Sequence, residues 1–268
     1  MKLTVGALKN FPAEVVKHIE QVSEVAGYLW EKEWAEKSSG NISIDLSGLF
    51  PDSTINQIKE EVSCKFPKEA AGMFLFVTGS GCRLRHLVDR AEEVAAIIAV
   101  NQTATAYSVL WGGKSAGFKP TSELSAHIKI HLFNAANNTG KKAVVHAHPI
   151  ELVVLSHHKL FKDEALFNHS LWKMCPEIKL YVPRGVGCSD YVRYGTEELA
   201  NLTLEALTNH DVVLWEKHGA LATGIDMEEA FDFLDVANKG AKLLLLAWSA
   251  GFDPEGLSPD QLDELINT

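Results

Sequence analysis

The chain has 268 residues, of which 46% are hydrophobic and 22% charged, so it is long enough to bury a core and is not a disordered protein. Its 35 acidic and 25 basic residues leave a formal charge of −10 with no basic run, which argues against a nucleic-acid partner. The first ten residues do not resemble a signal peptide, and no apolar stretch is long enough to cross a bilayer. We therefore expect a cytoplasmic protein with no membrane partner.

Hydrophobic periodicity predicts helices and strands in turn along the first half of the chain. The predicted elements are a helix over Pro12–Lys37, a half-buried strand carrying Ile42, Ile44 and Leu46, a short helix around Asn56–Val62, a buried strand Phe74–Val77 and a strand Ala104–Trp111. The strand Phe74–Val77 runs into the short glycine loop Thr78–Gly81.

The second half continues the same alternation. The predicted elements are an amphipathic helix opened by Pro120-Thr121-Ser122, a strand Val144–His148 followed by a helix, strands Lys179–Pro183 and Asp211–Trp215, and a helix Met227–Trp248. Interleaved elements of this kind indicate an α/β fold. We expect one domain, residues 1–268, with a single central sheet, mixed or largely antiparallel, covered by helices on both sides.

Three histidines are candidate metal ligands. His146 and His148 share one face of a predicted strand, with backbones roughly 7 Å apart, so their imidazoles can converge on one ion. His218 follows another strand and precedes Gly219, which allows a tight turn. Three histidines with an open position are typical of a catalytic zinc site. Each histidine taken alone is more often a core or surface residue.

The start of the predicted helix at Pro120 is the second candidate. Glu123 is a possible metal ligand or proton carrier, although an acid near a helix N-terminus is also favoured by the helix dipole alone. Thr121 and Ser122 fit an N-cap or a phosphate site equally well. The glycine loop Thr78–Gly81 lacks the P-loop pattern, and it is either a plain turn or an anion-binding nest.

In combination these segments resemble the class II aldolase/adducin family. The resemblance extends from about Trp34 to Trp248 and depends on five motifs in fixed order: Ser39-Gly40-Asn41-Ile42-Ser43, Phe76-Val77-Thr78-Gly79-Ser80-Gly81, Pro120-Thr121-Ser122-Glu123-Leu124, His146-Ala147-His148 and His218-Gly219. It implies a class II aldolase-like fold and a zinc-dependent lyase that cleaves a phosphorylated ketose into dihydroxyacetone phosphate and an aldehyde. It also implies a homotetramer with active sites at subunit contacts.

The resemblance assigns roles to individual residues. His146, His148 and His218 match the ligands of one Zn²⁺ per subunit, and Glu123 matches the catalytic carboxylate. Glu177 aligns with a second carboxylate contributed by a neighbouring subunit. The residues that match phosphate and substrate contacts are Asn41, Ser80, Gly81, Thr121 and Ser122.

Other functions remain open at this point. Another sugar-phosphate aldolase or a 4-epimerase of the same family is the close alternative. An adducin-like binding module predicts loss of the metal ligands, whereas all three histidines and Glu123 are present. A metallohydrolase would fit the histidines, but it would not need the glycine loop and Thr121-Ser122 together.

Overall fold

A single β-sheet organises the protein. The structure is a computed structural model that describes residues 11–51, 54 and 60–266. In that part of the chain nine strands join in the order β2-β5-β4-β3-β1-β6-β9-β8-β7. The strands are β1 (Asn41–Asp45), β2 (Val62–Ser63), β3 (Phe74–Thr78), β4 (Ala95–Val100), β5 (Ala106–Gly112), β6 (Ala143–Ala147), β7 (Val186–Ser189), β8 (Val212–Trp215) and β9 (Gly219–Gly224).

The pairing is antiparallel throughout except at one edge. Strands β7 and β8 are parallel, whereas every other neighbouring pair runs antiparallel. The sheet is therefore mixed and largely antiparallel, as the sequence predicts. Because β1 runs opposite to both β3 and β6, its first residue lies at the end of the sheet where β3 and β6 finish.

Helices cover both faces of the sheet, which confirms the α/β class. They are α1 (Ala13–Glu31), α2 (Leu87–Val94), α3 (Leu124–Ala136), α4 (Ile150–Leu155), α5 (Glu164–Trp172), α6 (Pro176–Tyr181), α7 (Glu197–Leu207), α8 (Met227–Ser249) and α9 (Pro259–Glu264). The larger core packs one face against α1, α2, α4, α5, α6 and α8. Helices α3 and α7 cover the other face through two smaller cores. Among the described residues, no helix combines the length and apolar character that a membrane span requires.

The central strand β1 shows how side-chain alternation divides these cores. Ile42 and Ile44 point into the larger core and are fully buried. Ser43 points to the opposite face, beneath α3, and is equally buried. The predicted half-buried strand is thus wrong in one respect, because helices exclude water from both faces.

Several sequence predictions need correction. Residues 179–183 do not form a strand: Pro176 starts α6, and Ile178 is buried in the larger core. The first helix ends at Glu31 rather than Lys37, since Glu33 and Lys37 both adopt positive φ. Strand β4, fully buried, was not anticipated.

The predicted helix around Asn56–Val62 is only partly testable. Its residues 56–59 lie outside the described residues, whereas Val62 belongs to strand β2.

Candidate active site

The candidate residues gather at one end of the sheet, where β3, β6 and β8 finish. Asn41, the first residue of β1, lies directly opposite His146 on β6, so both side chains leave the same face. Gly79, just after β3, forms an isolated antiparallel bridge with Pro120, just before α3. The topology therefore brings five segments that are distant in sequence to one place.

Three histidine rings form a compact group at this end. The ring centroids of His146 and His148 are 5.2 Å apart. The ring centroid of His218 lies 5.0 Å from that of His146 and 5.4 Å from that of His148. One ligand nitrogen from each ring lies within 4.8 Å of the others. Such a group fits a divalent cation, because three imidazole nitrogens converge on one point. A fourth coordination position then stays open for a substrate.

The turn between β8 and β9 explains how His218 reaches the other two rings. Lys217 adopts φ 59°, which reverses the chain within two residues of the strand end. A Cβ on Gly219 would lie 2.7 Å from His148 Cδ2 and 2.8 Å from His146 Cε1. Only glycine fits there, so the rings pack directly on the backbone of β9.

Hydrogen bonds orient two of the rings. Nδ1 of His146 donates to the carbonyl oxygen of Ala220 over 2.9 Å, and Nδ1 of His148 lies 3.0 Å from Glu36 Oε1. Both bonds leave Nε2 free as the ligand atom, an arrangement usual for metal-binding histidines. The donor set and its orientation therefore fit a metal ion.

The neutral form that binds metals is favoured at two of the histidines, His146 and His218. Burial, together with the charge of neighbouring histidines, lowers the pKa of His146 well below its ordinary value and that of His218 to about 4. Trp215 stacks on His218 with ring centroids 5.2 Å apart and also contacts His146 at 4.5 Å. The indole ring of Trp215 thus packs against two of the three histidine rings.

Glu123 lies immediately before α3, at the N-cap position rather than inside the first turn. It is 7% exposed, and burial raises the pKa of its carboxyl group. A 2.9 Å hydrogen bond from Asn41 Nδ2 to Glu123 Oε2 opposes that shift, as does the nearby His148. A buried carboxyl group at this position is suited to take up and release a proton during a reaction.

The glycine loop and the start of α3 lie side by side. Ser80 donates its N–H to the Lys119 carbonyl oxygen over 2.8 Å, and Thr121 donates its N–H to that of Thr78 over 2.8 Å. Ser80, Gly81 and Ser122 are exposed beside the buried Thr121. Because α3 is 13 residues long, its N-terminus provides positive potential for an anion.

Glu177 lies elsewhere in the fold. It is exposed in the first turn of α6, and it accepts a hydrogen bond from Cys175 Sγ that lowers its pKa. No contact in the described part of the chain joins it to the histidine group. A single chain therefore does not bring Glu177 to the other candidates.

Sequence patterns did not indicate two further residues of this site. Glu36 contacts His148 across 112 positions of sequence, and no motif marks it. His127 lies one helical turn after Glu123 and contacts Asn41 Oδ1 through Nε2 at 2.5 Å. The only sequence pattern that could have indicated His127 is its spacing of four residues from Glu123, which places both side chains on the same side of α3.

Comparison with known proteins gives a family. The family model described as Class II Aldolase and Adducin N-terminal domain matches residues 20–245, which include the five motifs. A rhamnulose-1-phosphate aldolase of Bacteroides thetaiotaomicron is 36% identical over 264 residues, covering 96% of each chain. One from Enterococcus faecalis is 31% identical over 237 residues, covering 87% of this chain and 84% of the relative.

Solved structures agree with this result. The crystal structure of a sugar-phosphate aldolase from Thermotoga maritima superposes with a TM-score of 0.78 at 29% identity. The alignment covers 91% of this chain and all of that one.

Proposed function

Because the chain belongs to the class II aldolase and adducin family, we propose that it is the zinc-dependent aldolase that cleaves L-rhamnulose 1-phosphate. The products are dihydroxyacetone phosphate and L-lactaldehyde. The coarser assignment follows from the family and its relatives: the protein is a lyase, a metal-dependent sugar-phosphate aldolase. The observation that carries the proposal is the group of three histidines beside the buried carboxyl group of Glu123.

The substrate is inferred from the relatives and from family features of the sequence. The two curated relatives above share the name rhamnulose-1-phosphate aldolase. Two features of the sequence resemble that branch of the family. They are the insertion of about 30 residues between Asn41 and Phe74 and the segment Ser108–Trp111 that precedes Pro120. The segments Val182–Gly187 and Tyr194–Glu198 support assignment to the same branch.

His146, His148 and His218 would hold the zinc ion through one nitrogen each. Held there, a zinc ion would supply Lewis-acid stabilisation of the negative charge that carbon–carbon cleavage leaves on the ketone fragment. Glu36 and the Ala220 carbonyl keep the rings of His148 and His146 in place for this role.

Glu123 carries the proton that cleavage requires. Retro-aldol cleavage removes a proton from the hydroxyl group that becomes the aldehyde and returns one to the carbon that becomes the methylene. A carboxylate that is buried, yet held by one hydrogen bond from Asn41, has the basicity to move a proton in either direction.

The phosphate binds beside this carboxylate. Ser80, Thr121 and Ser122 supply hydroxyl donors, and Gly81 and Ser122 supply backbone N–H donors, because the N–H groups of Ser80 and Thr121 are already bonded to carbonyl oxygens. Asn41 lies between this donor group and the histidines. Binding energy from the phosphate positions the reacting carbon atoms without itself taking part in the reaction.

The remaining assignments concern the assembly. We propose a cytoplasmic homotetramer of one-domain subunits, residues 1–268, in which Glu177 completes the active site of a neighbour. The exposed position of Glu177 on α6 supports this role, since a residue that acts across a subunit contact has to lie on the surface of its own chain.

The close alternative is an L-fuculose-phosphate aldolase or a pentose-phosphate 4-epimerase of the same family, and the distant one is an adducin-like module without catalysis. The test is a coupled assay for dihydroxyacetone phosphate with L-rhamnulose 1-phosphate and L-fuculose 1-phosphate at equal concentration. We expect faster turnover of the rhamnulose ester. Preference for the fuculose ester would reassign the substrate, and no cleavage of either would refute the aldolase assignment.

A further inference from the structure

A buried chain of hydrogen bonds runs from Glu123 under α3 to His131. Asn41 Nδ2 donates to Glu123 Oε2 over 2.9 Å, and Asn41 Oδ1 lies 2.5 Å from His127 Nε2. His127 Nδ1 lies 2.6 Å from Ser43 Oγ, which is 2.7 Å from His131 Nε2. The three inner members, Ser43, His127 and His131, are at most 1% exposed.

The direction of the chain follows from its first member. When Glu123 is ionised, its carboxylate only accepts hydrogen bonds, so the amide of Asn41 turns its NH₂ group to Glu123 and its oxygen to His127. That oxygen in turn requires a proton on Nε2 of His127. Burial lowers the pKa of both His127 and His131, so each is neutral near pH 7 and carries one ring proton.

The remaining bonds then have one solution. Nδ1 of neutral His127 is an acceptor, so the Ser43 hydroxyl donates to it and accepts from Nε2–H of His131. Every donor points toward Glu123. Nδ1 of His131 is left as a buried nitrogen without a hydrogen-bond partner among the described residues.

The orphaned nitrogen supports this direction independently. In the reversed chain His131 would carry its proton on Nδ1, and a buried N–H group would have no acceptor. Buried N–H donors without a partner are rarer in proteins than under-satisfied acceptors. The arrangement with every donor pointing toward Glu123 leaves an unpaired acceptor instead of an unpaired N–H donor.

We propose that His127 is a positioning residue of the aldolase site: held by Ser43 and His131, it fixes the amide of Asn41 with its NH₂ group toward Glu123. The inference rests on the proposed function, since it assigns the chain a role through the catalytic carboxylate. His127 touches neither the histidine group nor the phosphate donors in the contacts above. Without it, the Asn41 oxygen loses its donor, and the amide is held only by its hydrogen bond to Glu123 and is freer to turn away from the carboxylate.

The first test reads the protonation directly and needs no activity. Nitrogen-15 NMR of histidine-labelled protein, with signals assigned by His127→Gln and His131→Gln variants, distinguishes Nε2–H from Nδ1–H tautomers. We expect His127 and His131 both as neutral Nε2–H tautomers at pH 7. An Nδ1–H tautomer at either position would overturn the direction of the chain and with it the proposal.

The second test reads coupling through Asn41. His127→Leu introduces an apolar side chain of similar length that cannot donate to Asn41. We expect this variant to lower kcat about tenfold to a hundredfold while its metal content is unchanged. His127→Gln can still donate to Asn41 and should recover most of that loss. In an Asn41→Ala background, His127→Leu should lower kcat no further, because the residue acts through Asn41.

The outcomes separate this proposal from a purely structural role. Equal losses in His127→Leu and His127→Gln, or losses that multiply in the double variant, would show that His127 does not act through Asn41. If His127→Leu does not fold, Ser43→Ala replaces it, with an expected loss of about threefold to tenfold from one missing hydrogen bond. Inactive wild-type protein with the expected tautomers would refute the proposed function and leave the direction of the chain standing.

Discussion

Asn41 and His146 face each other across the antiparallel pair β1–β6, and this single register joins the two halves of the candidate site. His146 belongs to the histidine group, whereas the Asn41 amide contacts the carboxyl group of Glu123. A slip of one residue would move Asn41 to the opposite face of the sheet. The position of the carboxyl group relative to the histidines is therefore set by strand pairing.

Removal of one histidine should abolish metal binding. His148→Ala leaves two imidazoles, and we expect loss of both bound metal and cleavage, measured by elemental analysis and by release of dihydroxyacetone phosphate. The matched control is His157→Ala, an exposed histidine outside the site. Full cleavage by metal-free His148→Ala protein would contradict the metal assignment.

Removal of the carboxylate should separate chemistry from metal binding. Glu123→Gln preserves the shape and the acceptor for Asn41, so the metal content should be unchanged while kcat falls about 10²- to 10⁴-fold, the usual contribution of a proton-transfer group. Glu20→Gln, at an exposed glutamate of α1, serves as the control. Loss of metal in Glu123→Gln would make Glu123 a ligand instead of the proton carrier.

The close packing of two rings on Gly219 gives a third prediction. Gly219→Ala places a methyl group within 2.8 Å of atoms of His146 and His148, so the rings must move apart. We expect weaker metal retention in competition with a chelator, together with lower turnover. Gly27→Ala in α1, where the nearest atom is 3.8 Å away, should retain the wild-type metal affinity. Equal retention by the two variants would show that the ring positions do not depend on Gly219.

Acid should destabilise the protein partly through His131. Burial lowers its folded-state pKa, so below the unfolded value near 6.5 the unfolded chain binds a proton that the folded protein excludes. Between pH 6.5 and the folded pKa, this histidine removes about 1.4 kcal/mol of unfolding free energy per pH unit. The contribution of neutral His131 to the unfolding free energy is fully present above pH 6.5 and decreases as the pH falls below that value.

Urea unfolding of wild type and His131→Gln at pH 7, 6 and 5 measures this contribution. The glutamine keeps a donor for Ser43 but does not titrate, so its unfolding free energy should fall less steeply with acid. Parallel pH dependence of the two proteins would refute the linkage.

Local sequence patterns predicted much of this fold because most elements follow their own periodicity. His146 and His148 were expected on one strand face, and the structure places their rings 5.2 Å apart. The prediction of a strand over residues 179–183 is wrong, since a short apolar run does not distinguish a strand from a helix. The sequence pattern does not predict strand β4, because Ala95–Val100 is uniformly apolar and shows no alternation.

Other parts of the site depend on tertiary structure alone. The contact of Glu36 with His148 and the bridge of Gly79 with Pro120 link segments that no local pattern connects. The chain through Ser43, His127 and His131 likewise forms only when α3 packs on β1. The resemblance to the family implied that the five motif segments meet at one site, which periodicity does not predict, but it did not indicate Glu36, His127 or His131.

The most direct test of the metal centre is anomalous diffraction at the zinc absorption edge from crystals of the purified protein. One peak per subunit should lie about 2.0–2.1 Å from a nitrogen of each of His146, His148 and His218. A subunit without such a peak after zinc addition, or a peak that His218 does not contact, would contradict the metal site on which the proposed cleavage depends.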